Sequence, residues 1–98
     1  MALEIKWTKN ANNDLYSITT YLEQYLSSSS LIVFIDSVFK CLDQISEFPE
    51  IGIVENKRKK MRSFLINKNC RVFYRTTELE VILLAFIDTR SNPQNKPT

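Results

Sequence analysis

The apolar run Val81–Ile87 limits the possible folds more than any other part of this 98-residue chain. It contains no polar residue, so a strand formed by it must be covered on both faces. It is also far shorter than the ~20 apolar residues that a membrane-spanning helix needs. We therefore expect an interior strand of a sheet, with helices over one face of that sheet.

Two further strands are predicted immediately before this run. Residues 61–66 and 70–75 carry alternating patterns and are joined by a polar turn at residues 67–69, while a second polar turn leads into the apolar run. On the second of these strands, Arg71, Phe73 and Arg75 share one face. The three strands form a predicted β-meander whose exposed face combines positive charge with an aromatic ring.

The first half of the chain predicts one strand and two helices. Residues 3–7 alternate apolar and charged side chains, and Thr8 is a suitable N-cap for a helix that runs to about residue 26. The four serines at 27–30 predict a break, followed by a helix from about residue 30 to residue 48. The aromatic residues beside its apolar stripe are expected in the core; they are Phe34, Phe39 and Phe48. Residues 53–60 have no clear period and are expected to form a loop.

The predicted fold is a single α+β domain, residues 1–98, with the element order β-α-α-β-β-β. An antiparallel helical hairpin packs on one face of a small, mainly antiparallel four-stranded sheet. The most economical arrangement places the first strand beside the last one and leaves the other face of the sheet partly open and basic. Residues 93–98 are expected to fray.

Positive charge is concentrated in one segment, although the net charge is only +2. Eight of the thirteen basic residues lie between Glu55 and Glu78, with no acidic residue among them. They are Lys57, Arg58, Lys59, Lys60, Arg62, Lys68, Arg71 and Arg75. Because these charges recur on neighbouring strands, we expect them to converge. Such a cluster favours a polyanionic partner, either nucleic acid or an acidic protein segment, over a merely solvated surface.

Several kinds of chemistry are excluded by composition. The chain has no histidine, which removes the usual general base and any Ser-His or Cys-His nucleophile. Its two cysteines, Cys41 and Cys70, are expected to be buried thiols and cannot form a zinc site alone. The sequence predicts no metal, no cofactor and no membrane association. The start of the chain lacks the apolar core of a signal peptide, which favours the cytoplasm.

An ordered set of residues also resembles a known family. It consists of a strand ending in Trp7, then Ala11, Asp14, Leu15, Ile18, Tyr21 and Leu22, then Leu42, Ile45 and Phe48-Pro49-Glu50-Ile51-Gly52, then Arg62, the strand Arg71 to Arg75, and Asp88 to Pro93. This order, which covers nearly the whole chain, resembles the RelE/ParE superfamily of type II toxins, often labelled plasmid stabilisation proteins. No single motif in the set is diagnostic.

The resemblance implies a cytoplasmic toxin that is encoded with an antitoxin, which wraps around it and neutralises it. Assembly as a homodimer or as a toxin–antitoxin hetero-oligomer follows from the same resemblance. The ParE-like branch poisons DNA gyrase, whereas the RelE-like branch cuts messenger RNA in the ribosomal A site. We favour the ParE-like branch, with gyrase or an undefined target. Phe64 stands where a second strand lysine would help cleavage, and no tyrosine or histidine follows Arg90.

For the cleaving branch, the resemblance implies Arg62, Arg71 and Arg90 as the candidate catalytic residues. Arginine clamps a phosphate well but transfers protons poorly. The candidate contacts to nucleic acid or target are Lys57, Arg58, Lys59, Lys60, Phe73 and Arg75. Asp88 is predicted to orient Arg90 or to cap the strand end, and Tyr74 is predicted to lie in the core.

Two alternatives remain open at the level of the sequence. One is a ribosome-dependent, metal-independent mRNA endoribonuclease of the RelE type. The other is a nucleic-acid-binding module without toxicity. In the toxin hypothesis, the antitoxin covers either the arginine face or the helical hairpin.

Overall fold

A computed structural model of the protein describes residues 2–90. Its elements are β1 (Glu4–Trp7), α1 (Lys9–Tyr25), α2 (Ser28–Glu47), β2 (Ile53–Asn56), β3 (Met61–Asn67), β4 (Cys70–Thr76) and β5 (Glu80–Asp88). The strands form one sheet in the order β1-β5-β4-β3-β2. β1 runs parallel to β5, and the other neighbouring pairs are antiparallel. The expected fraying of residues 93–98 lies outside the described residues.

The predicted α+β fold is confirmed, including the interior position of β5 and the pairing of the first strand with the last. The expectation of four strands is wrong, because Ile53–Asn56 forms a fifth strand at the edge of the sheet beside β3. An edge strand has one neighbour and mostly exposed side chains, so it leaves no clear alternation in the sequence. The register shift between Val54 and Asn56 obscures the pattern further, since Glu55 is an extra residue there.

β5 contains a bulge, and side chains of α1 form hydrogen bonds with its backbone groups. Tyr74 pairs with Leu83 and Phe73 with Ala85, so Leu84 is an additional residue on β5. The side-chain amide of Asn10 donates to the Leu84 carbonyl at 2.9 Å, and the Asp14 carboxylate accepts from the Phe86 amide at 3.1 Å. These two bonds hold the first turns of α1 against the middle of the sheet.

The helix starts depend on hydroxyl caps. Thr8 Oγ1 accepts from the Ala11 amide at 3.1 Å and donates to the Leu83 carbonyl at 2.7 Å, which joins the beginning of α1 to β5. Thr8 is therefore confirmed as the N-cap. Ser27 caps α2 by accepting from the Ser30 amide at 3.2 Å. α2 consequently begins at Ser28, two residues before the predicted start.

The core between the helices and the sheet differs in part from the expected apolar stripe. Phe34 is buried as predicted, but Phe39 is 55% exposed and Phe48 is 66% exposed. The predicted burial of these two rings is wrong because the buried face of α2 is centred on Val38 and Cys41. Cys41 and Cys70 are buried free thiols, and burial raises the pKa of Cys70 to about 12. Within residues 2–90, neither helix is long and apolar enough to cross a bilayer.

Tyr74 anchors the segment that leads from α2 into the sheet. Its side chain is fully buried, and its hydroxyl donates to the Pro49 carbonyl at 2.8 Å and accepts from the Gly52 amide at 2.9 Å. Gly52 approaches so closely that an added Cβ would lie 2.6 Å from this hydroxyl and 2.7 Å from the Ser63 carbonyl oxygen. A side chain at position 52 would therefore displace the anchor.

The first prediction concerns this anchor. Tyr74→Phe leaves the Pro49 carbonyl and the Gly52 amide without a partner in a buried site. We expect the free energy of unfolding to fall by about 1–3 kcal/mol in urea denaturation. The matched control is Tyr16→Phe, whose ring is 74% exposed and should cost less than about 0.5 kcal/mol. Equal stability of Tyr74→Phe and the unaltered chain would contradict the anchoring role.

The second prediction concerns pH. Burial raises the pKa of Asp14, and the hydrogen bond from the Phe86 amide offsets only part of that effect. Because the folded-state pKa lies above the unfolded-state pKa, the fold favours the protonated carboxyl. This contribution is fully present below the unfolded-state pKa of about 3.9 and is lost as pH rises through the folded-state pKa.

Asp14→Asn keeps an oxygen acceptor for the Phe86 amide and removes the titration. Its stability relative to the unaltered chain should therefore be higher near pH 7 than near pH 3, as measured by urea denaturation at both values. A difference that stays constant over this range would show that burial of the carboxylate costs nothing.

Candidate functional site

The open face, by which we mean the face of the sheet opposite the helices, carries a small apolar cluster. Met61, Phe73 and Ala85 are buried there, with Leu84 and Ile87 packed against them. Phe73 is only 2% exposed, so its predicted placement as a surface aromatic is wrong. The ring forms the floor of the open face and offers no platform on which a base could stack.

Arg71 lies on the open face, beside Leu65 on β3 and Ile87 on β5. Its Nη1 donates to Ser63 Oγ at 3.1 Å, and Ser63 in turn donates to the carboxylate of Glu55. Arg71 also borders a cavity of about 230 Å³. The cavity is lined by Leu65, Lys68, Asn69, Cys70, Arg71, Phe73, Ile87 and Thr89. A largely apolar pocket with two cations at its rim suits a partner group that is apolar and linked to an anion.

Arg62 lies on the other face of the sheet. It pairs directly with Tyr74, whose ring belongs to the core under the helices. Its Nη1 donates to the Glu50 carbonyl at 3.1 Å and to the Gly52 carbonyl at 2.8 Å. Arg62 and Tyr74 thus both bond to the same short segment, residues 49–52. These contacts are those of a loop anchor.

Arg90 follows β5 and is held by Asp88. Arg90 donates to the Asp88 carboxylate from Nη2 at 2.9 Å, from Nε at 3.2 Å and from its backbone amide at 2.8 Å. Asp88 is fully buried, and these three bonds confirm that it orients Arg90, one of the two roles predicted for it. The hydrogen bond to Asp88 is the main reason that the pKa of Arg90 is raised. Arg90 borders a groove formed by both helices and the end of β3, including Leu22, Phe34 and Asn67.

The three candidate catalytic arginines are therefore not brought together. Arg62 and Arg71 lie on opposite faces of the sheet, and each of the three borders a different cavity. Arg90 borders the same groove as Asn67, which lies five residues along β3 from Arg62, or about 16 Å away. The expected convergence of strand charges is wrong for Arg62, and the catalytic roles of these residues stay predictions.

The remaining basic residues are divided between the two ends of the sheet. Lys57, Arg58, Lys59 and Lys60 are exposed in the turn between β2 and β3. Arg75 is exposed beside Met61, close to that turn, whereas Arg71 lies four residues, about 13 Å, farther along β4. Lys68 belongs to the turn at the far end of β3. The positive charge is thus spread from one end of β3 and β4 to the other and is not concentrated at one point.

Sequence reasoning missed Ser63 and Glu55 as partners of Arg71. Ser63 looked like an ordinary small residue of an alternating strand, and Glu55 lay in an assumed loop. The signal that could have identified Ser63 is a hydroxyl within an otherwise largely apolar strand. Among residues 2–90, no group of three or more histidine, cysteine, aspartate or glutamate side chains could hold a metal ion.

Comparison with known proteins identifies the family. The model of the ParE toxin of the type II toxin–antitoxin system parDE matches residues 5–93. The chain therefore belongs to the ParE toxin family, within the RelE/ParE toxin superfamily. No curated protein sequence matches it significantly.

Solved structures share the fold at low sequence identity. The chromosomal ParDE system of P. aeruginosa has a chain 13% identical, with a TM-score of 0.73 over 89% of this chain and 96% of that one. The RelBE2 toxin–antitoxin complex of Mycobacterium tuberculosis has one 17% identical, with a TM-score of 0.61 over 90% and 99%. The YoeB dimer of Staphylococcus aureus is 14% identical, with a TM-score of 0.62 over 89% and 97%.

The third prediction separates the anchoring arginine from a surface arginine. Arg62→Ala removes both bonds to the loop carbonyls and should lower the free energy of unfolding by about 1–2 kcal/mol. Arg58→Ala, in the exposed turn, is the matched control and should cost less than about 0.5 kcal/mol. Urea denaturation of the two variants measures the difference. Indistinguishable midpoints would refute the assignment of Arg62 as a loop anchor.

Proposed function

We propose that this chain is the toxin of a type II toxin–antitoxin module and that it arrests growth by acting on DNA gyrase or another target, without cleaving RNA. The match of nearly the whole chain to the ParE toxin family supports the first part. The lining of the Arg71 cavity carries the second part. It supplies positive charge from Lys68 and Arg71 but no carboxylate, phenol or imidazole.

RNA cleavage through the ribose 2′-hydroxyl needs a base, an acid and an in-line arrangement around the phosphate. The described lining of the Arg71 cavity contains no carboxylate, phenol or imidazole. Its one thiol, Cys70, is 1% exposed and has a pKa raised to about 12. Tyr74 is buried on the opposite face of the sheet, where burial raises its pKa. Arg71 can therefore bind an anion, and the nearby groups do not complete a nuclease.

A cognate antitoxin is part of the proposal. The P. aeruginosa and M. tuberculosis relatives are toxin–antitoxin systems, which supports an antitoxin partner here. Exposed apolar residues on α2 offer a surface for it, since Ile32, Val33 and Phe39 are 68%, 64% and 55% exposed. We place the protein in the cytoplasm, where gyrase and ribosomes lie, as a toxin–antitoxin hetero-oligomer or, without antitoxin, a homodimer.

The deciding experiment is tightly controlled expression of this chain alone, followed by growth, mapping of transcript 5′ ends and measurement of plasmid supercoiling. Arrest with intact transcripts and altered supercoiling supports gyrase, and arrest without either change supports another target. New cuts inside translated codons would instead establish the RelE-type ribonuclease. Normal growth with folded protein present would refute toxicity and leave a nucleic-acid-binding module.

The fourth prediction is that Arg71→Ala abolishes growth arrest while the protein stays folded. Arg71 lies on the open face, so its loss should leave folding intact. It removes a charge-assisted contact worth about 1.5–3 kcal/mol, at least about tenfold in affinity, so the variant should cause no arrest at the protein level at which the unaltered chain stops growth. Lys9→Ala removes a charge from the exposed start of α1 and serves as the control. Undiminished toxicity of folded Arg71→Ala would rule out Arg71 as the target contact.

A further inference from the structure

The hydroxyl of Ser63 joins a cation and an anion on the open face. It accepts from Arg71 Nη1 at 3.1 Å and donates to the Glu55 carboxylate. The three residues belong to three neighbouring strands: Glu55 to β2, Ser63 to β3 and Arg71 to β4. Within residues 2–90, the bond to Ser63 is the one polar contact that the Arg71 guanidinium makes.

Core packing does not explain a serine at this position. Ser63 is fully buried, and it is one of two buried polar or charged residues in the described chain, the other being Asp88. Alanine would fill almost the same space without a hydroxyl that must be hydrogen-bonded to avoid a burial cost. We therefore attribute the serine to its hydroxyl, which connects Glu55 and Arg71 by hydrogen bonds.

The connection has a direction. A hydroxyl has one proton to donate and lone pairs with which to accept. The Ser63 hydroxyl donates its one hydrogen bond to the Glu55 carboxylate. Its oxygen therefore faces the Arg71 guanidinium as an acceptor. Glu55 lies on the edge strand two residues after Ile53, which pairs with Ser63, so alternation places both residues on the open face. Glu55 thus supplies the acceptor that fixes the hydroxyl.

We propose that Ser63 and Glu55 are positioning residues that hold the Arg71 guanidinium beside its cavity, ready to bind an anionic group of the target. A guanidinium has five N–H donors, so one bond to Ser63 leaves others for a carboxylate or a phosphate. A side chain fixed in the folded protein has already lost rotamer entropy that a free arginine would lose on binding. The inference rests on the proposed function, in which Arg71 contacts the target.

The test uses the full chain with Ser63→Ala, Glu55→Ala and Glu55→Gln. The first readout is the NMR signal of the Arg71 guanidinium, whose N–H groups should be distinct in the unaltered chain and averaged by rotation in Ser63→Ala. The second is the protein level needed for growth arrest, which should rise about tenfold in Ser63→Ala and Glu55→Ala. Glu55→Gln keeps an oxygen acceptor and should change both readouts less.

Ser46→Ala is the matched control. Ser46 donates to the Leu3 carbonyl at 2.5 Å and joins α2 to the chain just before β1, away from the open face. Its loss should lower stability but leave the Arg71 signal and the growth-arrest level unchanged. Glu55 is exposed, so its variants remain informative if Ser63→Ala does not fold.

The outcomes separate this proposal from the proposed function. Unchanged Arg71 signals in Ser63→Ala or Glu55→Ala would overturn the positioning role whatever the growth result. Averaged signals with undiminished toxicity would also overturn it, because fixation of Arg71 would then be irrelevant to the target. If the unaltered chain does not arrest growth, the proposed function fails, and the NMR result still decides whether the two residues hold Arg71.

Discussion

The burial of β5 on both faces is the constraint on which the rest of the structure depends. β1 and β4 satisfy its two edges, the helices cover one face, and the cluster around Phe73 covers part of the other. The bulge at Leu84 would leave backbone groups without partners in this interior strand. Asn10 and Asp14 supply those partners, and Thr8 bonds to the carbonyl just before the bulge. The polar side chains at the start of α1 therefore determine where the helical layer lies.

The position of the helices divides the three candidate arginines into those on the helical side of the sheet and the one on the open face. Arg62 faces the helical side and Arg90 lies beside the groove there, where their hydrogen bonds go to carbonyls of residues 50 and 52 and to buried Asp88. Arg71 faces the open side and has a single bond to a hydroxyl. A guanidinium already satisfied by its own protein gains little from an external anion, whereas a sparsely bonded one gains more. For this reason Arg71 is better suited than Arg62 or Arg90 to bind an external anion.

The fold itself does not choose a target. Similar structures include a ParDE system, a RelBE2 complex and a YoeB dimer, all at identities below one fifth. Chemistry depends on the side chains at the site, and one scaffold supports more than one activity. In this chain, the Arg71 cavity offers anion binding next to an apolar floor, and its described lining contains no carboxylate, phenol or imidazole. That combination supports the proposed action, in which Arg71 binds an anionic group of the target and RNA is not cleaved.

Much of the fold could be predicted from the sequence because the signals are local. An unbroken apolar run indicates an interior strand, three- and four-residue spacings indicate helices, and a hydroxyl before a helix indicates its cap. The edge strand Ile53–Asn56 was not predicted because a strand with one neighbour needs little alternation of apolar and polar residues. The exposure of Phe39 and Phe48 was not predicted because helical spacing locates the buried face of a helix only to within about one residue position around the helix axis.

The sequence by itself determined the interior position of β5, the concentration of positive charge and the order of every element except the edge strand β2. Only the tertiary structure decided which charges face the same way. Alternation shows which residues share a face with Arg62 within β3, and which share a face with Arg71 within β4. Whether those two faces lie on the same side of the sheet is known only from the strand register, since a shift of one residue reverses the side. The link from Glu55 through Ser63 to Arg71 depends on the registers of three strands. Such a contact has no local signal, because its members are distant in sequence and meet only through backbone pairing.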